Sequence, residues 1–215
     1  MKAHFAFIAA LFLASQPTAA ETRAPPFRFD GPAPPPTLPA PPPVDIFLGR
    51  MQIKFERTTL SDVQRAVGKG QVAHRGDAGE STYWLCYEGT TKSIPVRLWL
   101  IAGEIDGPDH TIGVVQLQES AGNLQSEAEC PRLPQNLQPI KFGRAAVLGL
   151  AETAAVARLG KPSASDSDAV TYFHLAKRRM QRLGKTVIFD RSNFLELRLQ
   201  SGKVIGIIAS QSTTD

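Results

Sequence analysis

Apolar and polar positions alternate twice in this chain with nearly the same wording. Residues 96–107 read VRLWLIAGEIDG and residues 195–206 read LELRLQSGKVIG. Alternation at a period of two places Val96, Leu98 and Leu100 on one side of a strand, and Leu195, Leu197 and Leu199 on one side of another. Gly103 and Gly202 are expected to supply the turns, because glycine enters the left-handed region without a steric penalty. The return strands are TIGVVQLQES and KVIGIIASQ. Upstream of each pair stands a further strand-like run, STYWLCYEG and AVTYFHLAK, aligned by Thr82-Tyr83-Trp84 with Thr171-Tyr172-Phe173. KTVIFDRS, residues 185–192, predicts an additional strand, and residues 177–185, KRRMQRLGK, predict a basic loop before it, a helix being the alternative on the spacing of Phe173, Met180 and Leu183.

Helical periodicity precedes each strand group. Thr59 is positioned as an N-cap with Asp62 three residues on, a capping box in the wider sense. Leu60, Val63 and Val67 then share a helical face and Gly68 stops the helix. The second helix, in LGLAETAAVARLGKP, carries apolar Val156 and Leu159 and ends at Gly160 and Pro162. Its cap position is Ala151, whose side chain accepts no hydrogen bond, so this start is the weaker. The expected fold is α+β: two tandem helix–loop–antiparallel-meander modules, residues 45–128 and 145–215, joined by 129–144, with abutting or continuous sheets. One such unit buries little on its own, whereas two share a core.

The N-terminal pattern changes the picture. Lys2, the apolar run FAFIAALFLA and the small residues Thr18-Ala19-Ala20 predict a cleaved signal peptide over residues 1–20. The run falls short of the roughly 20 apolar residues a membrane helix needs. Gln16 rather than cysteine follows the apolar run, so export to the periplasm without a lipid anchor is expected. Residues 21–44 are proline-rich and predict an extended spacer, interrupted by Phe27 and Phe29. In an exported chain, Cys86 and Cys130 predict a disulfide in preference to a reactive thiol. The net charge of +4 favours an acidic partner or an anionic surface weakly.

A capped helix ending in VG or LGKP, followed by strands closing in GxVxG or GxIxG, resembles the superfamily of the beta-lactamase inhibitor protein and the small outer-membrane assembly lipoprotein. The resemblance spans residues 55–120 and 145–210. It implies an exposed sheet face that binds another protein, without choosing the partner. The chain departs from that inhibitor in having one cysteine pair rather than one per repeat, and from the lipoprotein in lacking the lipidated cysteine.

With Trp84 and Cys86 inward, the outward face is expected to hold Tyr83, Tyr87, Arg97, Trp99 and Ile101, and in the second half Tyr172, His174 and Arg198. Tyr, Trp and Arg dominate binding hot spots; burial under the helices is the alternative, and a one-residue register slip exchanges the faces. Lys177, Arg178, Arg179, Arg182 and Lys185 form a basic rim suited to an acidic protein or, weakly, to anionic headgroups. Catalytic signals are thin: no HExxH, P-loop, GxSxG or CxxC occurs. Glu104, Asp106, Asp109 and His110 in GEIDGPDH suit a turn better than a metal loop. The expectation is a non-enzymatic protein-binding module without cofactor or metal: an inhibitor or immunity protein of an envelope enzyme, an envelope-assembly or scaffold factor, or an enzyme with an unrecognised site. Its partner would be another envelope or periplasmic protein, not nucleic acid.

Overall fold

A computed structural model describes residues 22–26, 36–77, 80–104, 109–120, 129–182 and 184–214. The expected signal peptide, Phe27, Phe29 and Asp106 lie outside them. Strands dominate, arranged in two antiparallel sheets with two helices. The small sheet has the order β2-β1-β7, from β1 (Ile46–Leu48), β2 (Met51–Ile53) and β7 (Ile140–Lys141). The large sheet contains β3 (Ala73–Arg75), β4 (Thr82–Thr91), β5 (Ile94–Gly103), β6 (Val114–Glu119), β8 (Ala164–Ser165), β9 (Ala169–Arg182), β10 (Lys185–Gln200) and β11 (Lys203–Thr214). Its order is β3-β4-β5-β6-β11-β10-β9-β8, so β6 and β11 pair at the centre, with Leu117 opposite Ile207 and Val115 opposite Ala209.

Helix α1 (Leu60–Val67) starts as its sequence dictates. Thr59 Oγ1 accepts from the Asp62 amide at 3.0 Å, and Asp62 Oδ2 accepts from the Thr59 amide at 3.1 Å. Two of the orphan first-turn donors are thereby satisfied. Leu60, Val63 and Val67 are buried, and Gly68 closes the helix at φ +74°. Helix α2 (Glu152–Leu159) has no side-chain cap at Ala151, and only Ala155 is buried, with Val156 and Leu159 packed at the margin.

Each helix is tied to the sheet by the same pair of backbone bonds. Leu60 donates to the His110 carbonyl and Ile112 to the Thr58 carbonyl, at 3.1 and 2.8 Å. Glu152 donates to Gly202 and Val204 to Leu150, both at 2.9 Å. Both helices and the small sheet cover one face of the large sheet. There Leu85, Leu98, Leu100, Leu117, Leu197 and Ile207 meet Val63, Ile46 and Leu48 in the main core. Burying one such aliphatic side chain contributes about 1.5–3 kcal/mol.

Several expectations are corrected. Residues 177–182 are not a loop: they extend β9, and Lys185 begins β10, which runs unbroken through residues 185–200. Cross-strand pairing continues from Phe189–Arg178 to Lys185–Arg182, so the alternating β-branched and long side chains sit on a ribbon. Gly202 does form a tight turn, with Ser201 at φ +51° and Gly202 at φ +71°. Gly103 does not: it ends β5, and a longer connection leads to β6. The tight turn in the first half is instead Lys92-Ser93, between β4 and β5.

Nor is the proline-rich arm only a spacer. Thr22 is buried, the Arg23 carbonyl accepts from the indoles of both Trp84 and Trp99 at 3.0 Å, and Leu38 donates to the Phe173 carbonyl at 2.7 Å. The connection 129–144 contributes Leu133, Leu137, Ile140 and Phe142 to the core. Among the described residues no helix is long and apolar enough to cross a membrane.

Candidate functional site

The expected aromatic binding face does not exist as one surface. In an antiparallel pair, residues directly opposite each other point to the same side. Cys86 lies opposite Trp99 and Trp84 opposite Ile101, whereas Tyr87 lies opposite Leu98. Trp99 and Ile101 therefore share a face with Trp84 and Cys86, and Tyr83 and Tyr87 look the other way, toward the helices.

Burial completes the correction. Tyr87, Trp99, Tyr172 and Ile101 are 0%, 1%, 1% and 7% exposed. Tyr87 donates its phenol to the Lys69 carbonyl just past α1 at 3.0 Å, and Tyr172 donates to the Gly160 carbonyl at the end of α2 at 3.2 Å. By position Tyr172 thus corresponds to Tyr87, not to Tyr83. Burial pushes both phenols above their ordinary pKa.

The remaining expected site residues are dispersed. Tyr83 is sandwiched between His110 at 3.8 Å and His74 at 4.5 Å between ring centroids. Arg97 bonds Glu88 at 3.1 Å, and His174 Nδ1 lies 2.8 Å from the Leu38 carbonyl. Arg198 Nε stands 2.6 Å from Glu196 Oε1. Burial raises the Glu196 carboxyl pKa, opposed by Arg198 and reinforced by Asp166. Cys86 and Cys130 form a disulfide, enclosed with Trp84, Trp99 and Ile101 in a second apolar cluster on the face away from the helices.

What stays accessible is the β9–β10 ribbon. Strand β11 accompanies β10 only as far as the Asp190–Thr214 pair, so Lys185–Phe189 pair with β9 alone. One side of the ribbon presents Leu175, Lys177, Arg179 and Ile188, in register with one another. Leu175 and Ile188 are 46% and 53% exposed, unusual for large aliphatics in a strand. Lys177 pairs with Asp190 at 2.8 Å, with most of its side chain in solvent. Lys185 is exposed at the tip and Arg182 stands opposite it in the register.

The other side of the ribbon faces a cleft of about 580 Å³ that sequence reasoning missed. Arg178 and Arg191 enter from the ribbon, Gln211 and Thr213 from β11, and Lys54 and Arg57 from the loop after β2. Glu56 in that loop has φ +57°, a left-handed conformation uncommon for a side chain of its kind. Its Oε2 accepts from Gln211 Nε2 at 2.7 Å and from Thr213 Oγ1 at 2.9 Å. Gln211 Oε1 in turn accepts from Arg191 Nη2. The only sequence signal was the change from apolar to polar at the far ends of β10 and β11, and nothing local connects it to Lys54–Arg57.

Among the described residues no group of three or more His, Cys, Asp or Glu is placed to hold a metal. Comparison of the chain with protein families, with curated proteins and with solved structures finds no match.

Proposed function

We propose that this chain is an exported, non-enzymatic binding module that engages an acidic envelope protein through the outer side of the β9–β10 ribbon. The observation that carries the reading is the ribbon itself. The first hairpin, β4–β5, stops at Thr91 soon after Tyr87, whereas β9–β10 continues far past Tyr172 to Arg182. That extension holds the basic run and the exposed Leu175 and Ile188. Exposed aliphatics ringed by Lys and Arg suit an interface with an apolar centre and a charged rim. The charges speed encounter with an acidic surface, and the aliphatics lose water only on contact.

Two tandem modules meeting at the β6–β11 seam underlie this reading. Each half runs helix, then strands from the sheet's edge in to the seam; each helix start is bonded to the sheet by the same two amides, and each helix end receives a tyrosine phenol. The match between halves supports the resemblance to the tandem inhibitor superfamily and makes the ribbon the point where the second module departs from the first. An inhibitor or immunity protein of an envelope enzyme is the leading version, and an assembly or scaffold factor the second.

The test is cross-linked capture from periplasmic extract with the full exported chain, beside an Arg179→Glu, Ile188→Asp variant whose fold is checked by circular dichroism. A protein held by the parent and lost by the folded variant is expected. Equal capture by both sinks the ribbon as the site, and anionic vesicles run in parallel report whether the charges act on lipid instead.

A further inference from the structure

We propose that the cleft on the inner side of the ribbon is an oxyanion-binding site, taking a carboxylate or phosphate carried on a body with some apolar surface. Four basic side chains, Lys54, Arg57, Arg178 and Arg191, line it against two carboxylates, Asp45 and Glu56. Glu56 is already committed, since one of its oxygens accepts from both Gln211 and Thr213. The field inside the cleft is therefore positive.

Arg191 is the organised member. Gln211 holds its Nη2, and Glu56 holds Gln211, so a relay of three side chains fixes the plane of the guanidinium. Its Nε is buried with no hydrogen-bond partner among the described residues. A buried donor left unsatisfied costs free energy, and a shift of the side chain that offers Nε to an incoming oxygen would remove that cost. The planar fork of arginine matches a carboxylate or phosphate edge with two parallel bonds.

Arg178 projects from β9 on the same side of the ribbon as Arg191, and no ion pair or hydrogen bond engages it among the described residues. Lys54 and Arg57 are exposed at the mouth, where they serve capture more than grip. Val44, Ile53 and Phe55 supply the apolar wall for the ligand body. The volume lies within the usual range for a small-ligand site, roughly 300–1,000 Å³.

This site is independent of the ribbon's outer side, and different residues test it. The full exported chain would be titrated calorimetrically with citrate, inorganic phosphate and a hexaglutamate peptide. Saturable one-to-one binding is expected. Arg178→Ala should weaken it about tenfold or more, the effect of losing a hydrogen bond to a charged group. Arg191→Lys, which keeps the charge but removes the fork, should weaken it similarly. Lys161→Ala, an equal loss of charge at an exposed position outside both the cleft and the ribbon, should change it less than about twofold.

Citrate or phosphate binding that follows this pattern supports a free small anion as ligand. Hexaglutamate binding displaced by citrate supports the carboxylates of an acidic chain. The proposal is overturned if no probe saturates, or if Arg178→Ala and Lys161→Ala weaken binding alike, since the charge would then act diffusely. The Arg178 side chain makes no described bond, so its variant remains informative even if Arg191→Lys unfolds.

Discussion

Breaking the Cys86–Cys130 bond is the sharpest perturbation this fold offers, because its effect can be worked out before the experiment. The two sulfurs close a loop with a sequence separation of 44 residues. In the chain-entropy treatment a loop of that length stabilises by about 4 kcal/mol, by restricting the unfolded chain. Native contacts across the bond largely survive without it. The segment after Cys130 is clamped to β4 by the Glu88 amide to the Pro131 carbonyl at 3.1 Å, and by the Leu133 amide to the Glu88 carbonyl at 2.8 Å.

Reduction keeps the sulfur volume beside Trp99 and Ile101, so the reduced protein should lose mainly the loop term. The Cys86→Ala, Cys130→Ala double variant should lose somewhat more, since both sites are almost wholly buried and a cavity is left. Urea unfolding followed by circular dichroism checks both. The expected result is a free energy lower by about 4 kcal/mol with a steeper denaturant dependence, because the unlinked denatured chain expands. A reduced protein as stable as the oxidised one, with the same slope, would refute the reasoning.

The two helix starts make an internally controlled pair. Thr59→Ala should cost about 1 kcal/mol, whereas Ala151→Asp, at an exposed position that is already extended and lacks a side-chain cap, should gain up to about 1 kcal/mol; a loss at Ala151 in denaturant titration would contradict the cap geometry. The Thr59 bonds hold the Asp62 carboxyl below its ordinary 3.8, so its contribution is present at neutral pH and fades as pH falls through the acid range. Glu196 has the opposite sign. Burial raises its carboxyl above 4.5, so the fold holds the proton more tightly than the unfolded chain, and stability should decline as pH rises from that value and then level. Glu196→Gln should remove that declining limb, and an unchanged pH profile would show that the group is not desolvated as described.

Local chemistry determined much of this molecule. The capping box at Thr59 and Asp62, the stop at Gly68, the uncapped start at Ala151 and the Ser201-Gly202 turn were legible because each rests on residues a few positions apart. The apolar alternation through Leu98, Leu100, Leu195, Leu197 and Leu199 marked the core side of β5 and β10 for the same reason. Two cysteines in a chain read as exported were enough to pair them.

Which aromatics became surface was not legible, because it depends on register between strands. Alternation states that Tyr87 and Trp84 point apart, but only the pairing of Cys86 with Trp99 states which of them shares a side with Trp99. The basic run misled for a related reason. Lys177–Arg182 lack the apolar alternation of a buried strand, and they became part of an exposed one because β10 offered a partner, not because their own sequence asked for it. The cleft was decided by tertiary structure altogether. Lys54 and Arg57, Arg178 and Arg191, and Gln211 come from three distant parts of the chain, and their meeting follows from where β9, β10 and β11 outrun the rest of the sheet beside the loop after β2. Long-range pairing makes such sites, and no window of sequence contains it.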